Sequence, residues 1–215
     1  MATPPPEAAR PRRGALVLAG GRGERMGAEK ADLLVGGRSM LARVVDAVAA
    51  EVDEVVVVGR PGQALTLPRP RRAGVAVRRT DDAERDVGPL AGLAAGFAAL
   101  DADVAFVASC DVPLLTPAVV AGVLDALRDA DAAVPEVEGT PHPLVAAWRR
   151  GPALAAVRAC LATGRRRVQD ALAVLAVVRV PEAALRAFDP TLDALRNVNT
   201  PEDLERARAV ASGRG

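Results

Sequence analysis

At 215 residues, half of them hydrophobic, the chain is long enough to bury one core and too apolar to be disordered. A net charge of +1 supplies no general attraction for nucleic acid or an anionic membrane, and 2% aromatic residues leave few rings for base stacking. Cys110 and Cys160 are too few and too unpatterned for a disulfide scaffold or a zinc site.

Residues 1–13 open on Met1-Ala2-Thr3-Pro4-Pro5-Pro6 and lack the apolar stretch of a signal peptide. They are expected as a disordered tail, with residues 14–210 as one domain and residues 211–215 as a frayed end. No uncharged apolar run approaches the length of a membrane span. With its two cysteines reduced, the protein is expected in the cytoplasm.

Short β-branched runs alternate with longer Ala/Leu stretches. That alternation predicts an α/β fold, a three-layer α/β/α sandwich with a mostly parallel, Rossmann-like central sheet. Residues 15–18 read as the first buried strand, running into a glycine-rich loop. Residues 40–51 read as a helix, apolar at Leu41, Val44, Val45 and Val48. Residues 55–58 form the second strand and residues 75–77 a weaker third. The segment after Gly88-Pro89-Leu90 is helical and small enough in side chain to pack closely on a sheet.

Residues 104–108 form the fourth strand, and Thr116-Pro117 opens a helix to about residue 128. Residues 132–135 and 143–148 look like further strands. The remainder reads as helix apart from a strand within 174–180. Thr200-Pro201-Glu202-Asp203 begins the last helix with a cap, an early proline and acids at its positive end.

One residue stands out against this background. Lys30 is the only lysine beside 27 arginines, and it follows Gly20-Gly21-Arg22-Gly23-Glu24-Arg25-Met26-Gly27-Ala28-Glu29. Lysine carries a compact charge on a thin stem where arginine carries a broad fork, so a retained lysine suits a narrow space holding a phosphate. Glycines let the backbone approach an anion, successive NH groups cradle it, and Arg22 and Arg25 add charge. Walker spacing is absent, because Lys30 is followed by Ala31. A dinucleotide fingerprint is absent too, since Gly27 falls one residue late. On its own the segment could equally be a solvated loop.

Asp111, in Ser109-Cys110-Asp111-Val112-Pro113, follows a buried strand at the end where open α/β sheets bind ligands. A lone carboxylate there suits Mg²⁺, which completes its shell with phosphate and water, although a turn cap is the simpler reading. Asp81 and Asp82 fall at the end of the third strand. Asn197 and Asn199, the only asparagines, flank Val198; one could reach a site while the other holds a turn. His142 is the only histidine and has no Ser or Cys partner in sequence. The missing nucleophile fits phosphoryl or nucleotidyl transfer, where positioning and charge neutralisation suffice.

Together these stretches resemble the molybdenum cofactor guanylyltransferases, the MobA family of Rossmann-like nucleotidyltransferases. The matching segments are Leu18-Ala19-Gly20-Gly21 through Arg25-Met26-Gly27 to Lys30, Gly36-Gly37 to Leu41, Asp81, Gly88-Pro89-Leu90-Ala91-Gly92, Cys110-Asp111-Val112-Pro113, His142-Pro143-Leu144, and Asn197-Val198-Asn199-Thr200-Pro201-Glu202-Asp203-Leu204. The resemblance implies nucleotide contacts from Leu18, Ala19, Gly20, Gly21 and Asp81, phosphate binding by Lys30 with help from Arg25, and Mg²⁺ on Asp111. It implies acceptor or supporting roles for His142, Asn197 and Asn199, and Arg149-Arg150 are further candidates for an anionic pterin phosphate. Two positions depart from the family pattern: Val58, where a polar residue is usual, and Glu29, where aspartate is usual.

The implied reaction is GMP transfer from GTP to the terminal phosphate of molybdopterin, releasing pyrophosphate. Transient contact with molybdenum-insertion or molybdoenzyme proteins is also implied. The sequence leaves open a molybdopterin cytidylyltransferase, another small-metabolite nucleotidyltransferase, and, from a different class, a non-catalytic nucleotide-binding regulator.

Overall fold

Alternate residues of each central strand feed opposite apolar layers, and this parity builds the fold. The computed structural model describes residues 11–20, 29–82 and 88–213. The first half contains β1 (Arg13–Leu18), a 3-10 turn (Lys30–Asp32), β2 (Leu34–Val35), β3 (Arg38–Ser39), α1 (Met40–Ala49), β4 (Glu54–Gly59), β5 (Ala76–Asp81) and α2 (Pro89–Ala99). The second half contains β6 (Val104–Ser109), α3 (Pro117–Ala126), β7 (Ala132–Val137), β8 (Thr140–Pro141), β9 (Val145–Arg149), α4 (Arg150–Ala162), α5 (Val168–Leu172), β10 (Val177–Pro181), α6 (Glu182–Arg186), a 3-10 turn (Asp193–Leu195) and α7 (Pro201–Gly213).

The main sheet has the order β10-β7-β9-β6-β1-β4-β5, with β8 pairing β7. The pairings among β1, β4, β5 and β6 are parallel, and β9 alone in that path runs antiparallel to both neighbours. Ala15, Val17, Val55, Val57, Phe106 and Ala108 point into one layer, covered by α1, α3 and α6. Leu16, Val56, Val58, Ala105 and Val107 point into the other, covered by α2, α4 and α5. The expected three-layer α/β sandwich is therefore present. A smaller cluster of Val35, Met40, Leu114, Val198 and Leu204 seats α7 beside the short β2–β3 hairpin.

Small residues on α2 allow a close approach to the sheet. A Cβ on Gly96 would lie 3.0 Å from both Leu16 and Val58 side-chain carbons. Val58 is thus committed to the helix–sheet interface, 2% exposed.

Several boundaries differ from expectation. The Arg12 carbonyl accepts from Asp103 and Val104 amides, and β1 begins at Arg13, so ordered pairing starts inside the expected tail. Helix α7 continues to Gly213, with the Ser212 hydroxyl donating to the Arg208 carbonyl, so residues 211–213 are helical rather than frayed. The third strand is longer and later than residues 75–77: β5 extends through Arg78, Arg79 and Thr80 to Asp81, polar residues that an edge strand tolerates.

Candidate active site at the carboxyl edge of the sheet

Strands β5, β4, β1 and β6 end side by side, pairing Asp81 with Gly59, Val58 with Leu18, and Leu18 with Ser109. Beyond the last ladder pairs, the Ala19 amide donates to the Val58 carbonyl and the Cys110 amide to the Leu18 carbonyl, at 2.8 and 2.9 Å. Leu18, Ala19 and Gly20 therefore leave the sheet between the ends of β4 and β6. Gly20 passes so close to Arg60 that an added Cβ would meet its Cγ at 3.1 Å. The expected contacts Gly21 and Arg25 lie outside the described residues, as do Arg22 and Gly27.

Lys30 opens the 3-10 turn, which buries Ala31 and is held to the start of α1 by the Met40 amide donating to the Leu33 carbonyl. Its Nζ donates to Asn199 Oδ1 at 2.6 Å across 169 residues of chain. The Val198 amide in turn donates to the Asp111 carbonyl at 2.7 Å. Lys30, Asp111 and Asn199 are thus brought to one place from three distant segments. Asn199 is itself fixed from behind. Asp203 Oδ2 accepts from the Asn199 and Thr200 amides while Thr200 Oγ1 accepts from the Asp203 amide, a reciprocal cap on α7. Donation by the Asn199 amide holds the Asp203 carboxyl below its ordinary range.

Asp111 is half-buried, and its Oδ1 is buried with no hydrogen-bond partner among the described residues. A carboxylate oxygen shielded from water and lacking a donor suits a hard cation. No group of three or more metal-ligating side chains occurs among the described residues, so such a cation would need oxygens from a bound phosphate. Neighbouring Cys110 is poorly placed for a nucleophile: burial pushes its thiol up to about 12, the Asp111 charge adds to the shift, and Lys30 offsets part of it.

The remaining expected residues divide. Asp81 ends β5 with its Oδ1 accepting from Arg79 Nε at 2.8 Å. His142 is half-buried near this edge, where the adjoining Leu144 carbonyl accepts from the Ser109 amide; burial lowers its pKa. Asn197 does not join Asn199 on Lys30; it is exposed and lines a small cavity with Leu114, Arg196, Asp203 and Arg206. Arg149 and Arg150 do not accompany His142. Arg149 pairs with Val104 at the opposite end of β6, donates to the Ala130 and Arg128 carbonyls, and is followed by the Arg150 amide donating to Asp103. The five residues of β9 separate the two ends by about 13 Å at ~3.3 Å per residue.

Sequence reasoning missed Arg60, Gln63 and Arg79. Residues Arg60-Pro61-Gly62-Gln63 form a turn closed by the Gln63 amide on the Arg60 carbonyl, with Gly62 at φ 76°. Proline second and glycine third is the pattern of a type II turn, and that dipeptide was the available signal. From this turn Arg60 and Gln63 both reach Glu29, and Arg79 donates to the Arg60 and Gln63 carbonyls.

Comparison with known proteins agrees with this architecture. The model of the MobA-like NTP transferase domain matches residues 15–178. The chain belongs to that family. A molybdenum cofactor guanylyltransferase from Desulfosudis oleivorans is 34% identical over 202 residues, covering 93% of this chain and 96% of that protein. A probable molybdenum cofactor guanylyltransferase from Haloferax mediterranei is 32% identical and covers 94% of each. Among solved structures, molybdopterin-guanine dinucleotide biosynthesis protein A from Archaeoglobus fulgidus superposes with a TM-score of 0.77 at 28% identity, covering 93% of this chain and 99% of that one. Family membership makes the protein a nucleotidyltransferase.

Proposed function

We propose that this enzyme transfers GMP from GTP to the terminal phosphate of molybdopterin in molybdenum cofactor biosynthesis. The observation that carries the reading is the convergence of Lys30 and Asn199 beside Asp111 at the sheet edge, in a chain whose relatives are named for this activity across nearly its full length. A phosphate oxygen of the acceptor forms a bond to the α-phosphorus of GTP, the bond from that phosphorus to the bridging oxygen breaks, and pyrophosphate leaves. The acceptor phosphate is ionised at neutral pH, so no strong general base is needed. This agrees with the lack of a Ser or Cys partner for His142 in the sequence.

In this reading the backbone of Leu18, Ala19 and Gly20 lies along the nucleotide, and Asp81 approaches it from the neighbouring strand end. Lys30, steadied by Asn199, donates to the phosphates and stabilises the charge that grows on the leaving group. Arg25 is proposed as a second cation. Asp111 would hold Mg²⁺ through its undonated oxygen, and the ion would supply phosphate charge neutralisation when bound. Burial lowers the His142 pKa and so favours its neutral imidazole, which can face a pterin as donor or acceptor.

Thermal shift with MgGTP, MgCTP and MgUTP tests the nucleotide: stabilisation by MgGTP is expected, and a response to MgCTP alone would replace GTP in this proposal by CTP. Pyrophosphate release on adding molybdopterin tests the transfer. Tight GTP binding with no turnover on that acceptor would favour a binding protein.

A further inference from the structure

Ala19 ends the run of β1 and Glu29 precedes Lys30, and one side chain touches both residues. Gln63 is 7% exposed. Its Nε2 donates to the Ala19 carbonyl at 3.1 Å and to Glu29 Oε2 at 3.0 Å, while its Oε1 accepts from the Arg60 amide at 3.0 Å. Both amide protons and the amide oxygen are used, which no other side chain of this size could reproduce. The Pro61-Gly62 turn aims the amide inward, and Arg79 holds the turn by its Arg60 and Gln63 carbonyls.

Glu29 is accounted for by the same contacts. A carboxylate beside a phosphate-binding lysine would oppose an incoming nucleotide. Here one oxygen faces the Arg60 guanidinium and the other accepts from Gln63, so its charge is compensated and its direction fixed. Lys30 is the next residue along the chain.

We infer that Gln63 is a positioning residue for the nucleotide phosphates: it clips Ala19, at the end of β1, to Glu29, and thereby fixes the approach of the neighbouring Lys30. The inference rests on the proposed nucleotidyl transfer, and it concerns nucleotide binding rather than the chemical step. Removing the clip leaves the sheet intact but frees Glu29, and with it Lys30, from Ala19, so the cost falls on the nucleotide's KM. The turnover of bound nucleotide and the acceptor's KM stay near their wild-type values.

The test is Gln63→Glu, which keeps the shape, removes both donors and sets a carboxylate against Glu29. Gln63→Met, of similar length and unable to donate, is made alongside in case the first protein does not fold. Initial rates are measured against MgGTP and against molybdopterin, with melting temperatures for each protein. The expected result is a KM for MgGTP raised on the order of tenfold with kcat within about twofold. Exchanging the two groups in the double variant Q63E/E29Q restores an amide–carboxylate pair and should recover part of that loss. A folded variant with unchanged nucleotide KM overturns the inference, as does a loss in kcat alone or one that follows only the fraction of folded protein. Failure of the wild-type protein to bind MgGTP would instead overturn the proposed function, so the two failures are distinguishable.

Discussion

Replacing Lys30 with alanine removes a cation whose direction the structure fixes at the proposed phosphate site. An ammonium has three N–H donors, and one is occupied by Asn199 at 2.6 Å, leaving two for phosphate oxygens. Hydrogen bonds to charged groups contribute about 1.5–3 kcal/mol each, so two of them correspond to ~3–6 kcal/mol. At 1.36 kcal/mol per decade this is a fall of roughly 10²–10⁴ in kcat/KM for MgGTP. Lys30→Arg keeps the charge but puts a planar fork where Asn199 stands against a point charge, and should still lose about tenfold. The Lys30–Asn199 bond is exposed, so melting temperatures should hardly move. Steady-state pyrophosphate release, with thermal melts as the control, measures both. An alanine variant within about threefold of wild type, or an arginine variant as active as the parent, would refute the assignment of Lys30 to the phosphates.

Gly96→Val should destabilise the protein by about 1–3 kcal/mol in chemical denaturation, because its Cβ already lies 3.0 Å from buried Leu16 and Val58 and the added methyls must displace them. Asp203→Ala should cost about 1 kcal/mol of stability through the loss of its carboxylate's bonds to the Asn199 and Thr200 amides, and should also weaken nucleotide binding through Asn199. In the parent, the Asp203 carboxyl lies below its ordinary value of 3.8 when folded. Its contribution is therefore complete above that value and lost as pH falls through the folded pKa, so the stability gap between parent and Asp203→Ala should narrow in acid melts. Cys110, with its thiol pushed up to about 12 and 3% exposed, should resist alkylation at pH 8 in the native protein and react on unfolding, as mass spectrometry would report.

Strands β1, β4 and β6 were legible because buried parallel strands need unbroken apolar runs, and 55–58 is four valines in succession. The extent of β5 was not, since an edge strand keeps its backbone pairing with Val56 to Gly59 whatever its polar side chains. The two-residue strands β2 and β3 are too short to show a period. Lys30, Asp111 and Asn199 could be singled out because each is rare or sits at a strand end, yet only the fold brings them together. Arg149 and Arg150 follow His142 closely in sequence, but a strand carries them to the far end of the sheet. The contacts of Glu29 span 31 and 34 residues; the Pro61-Gly62 dipeptide marks the turn, but no local pattern pairs that turn with Glu29. Val58 reads as a departure from its family in sequence; in space its methyls fill the groove left by Gly92 and Gly96.

The most direct test of the central claim is pyrophosphate release from MgGTP with molybdopterin as acceptor, comparing the parent enzyme with Asp111→Asn. The parent should produce pyrophosphate together with a molybdopterin–guanine dinucleotide. Asp111→Asn, which replaces a carboxylate oxygen by an amide and removes the charge, should lose at least about 10² of that rate at any Mg²⁺ concentration. Undiminished turnover by Asp111→Asn, or a parent enzyme that releases pyrophosphate only from another nucleotide, would contradict it.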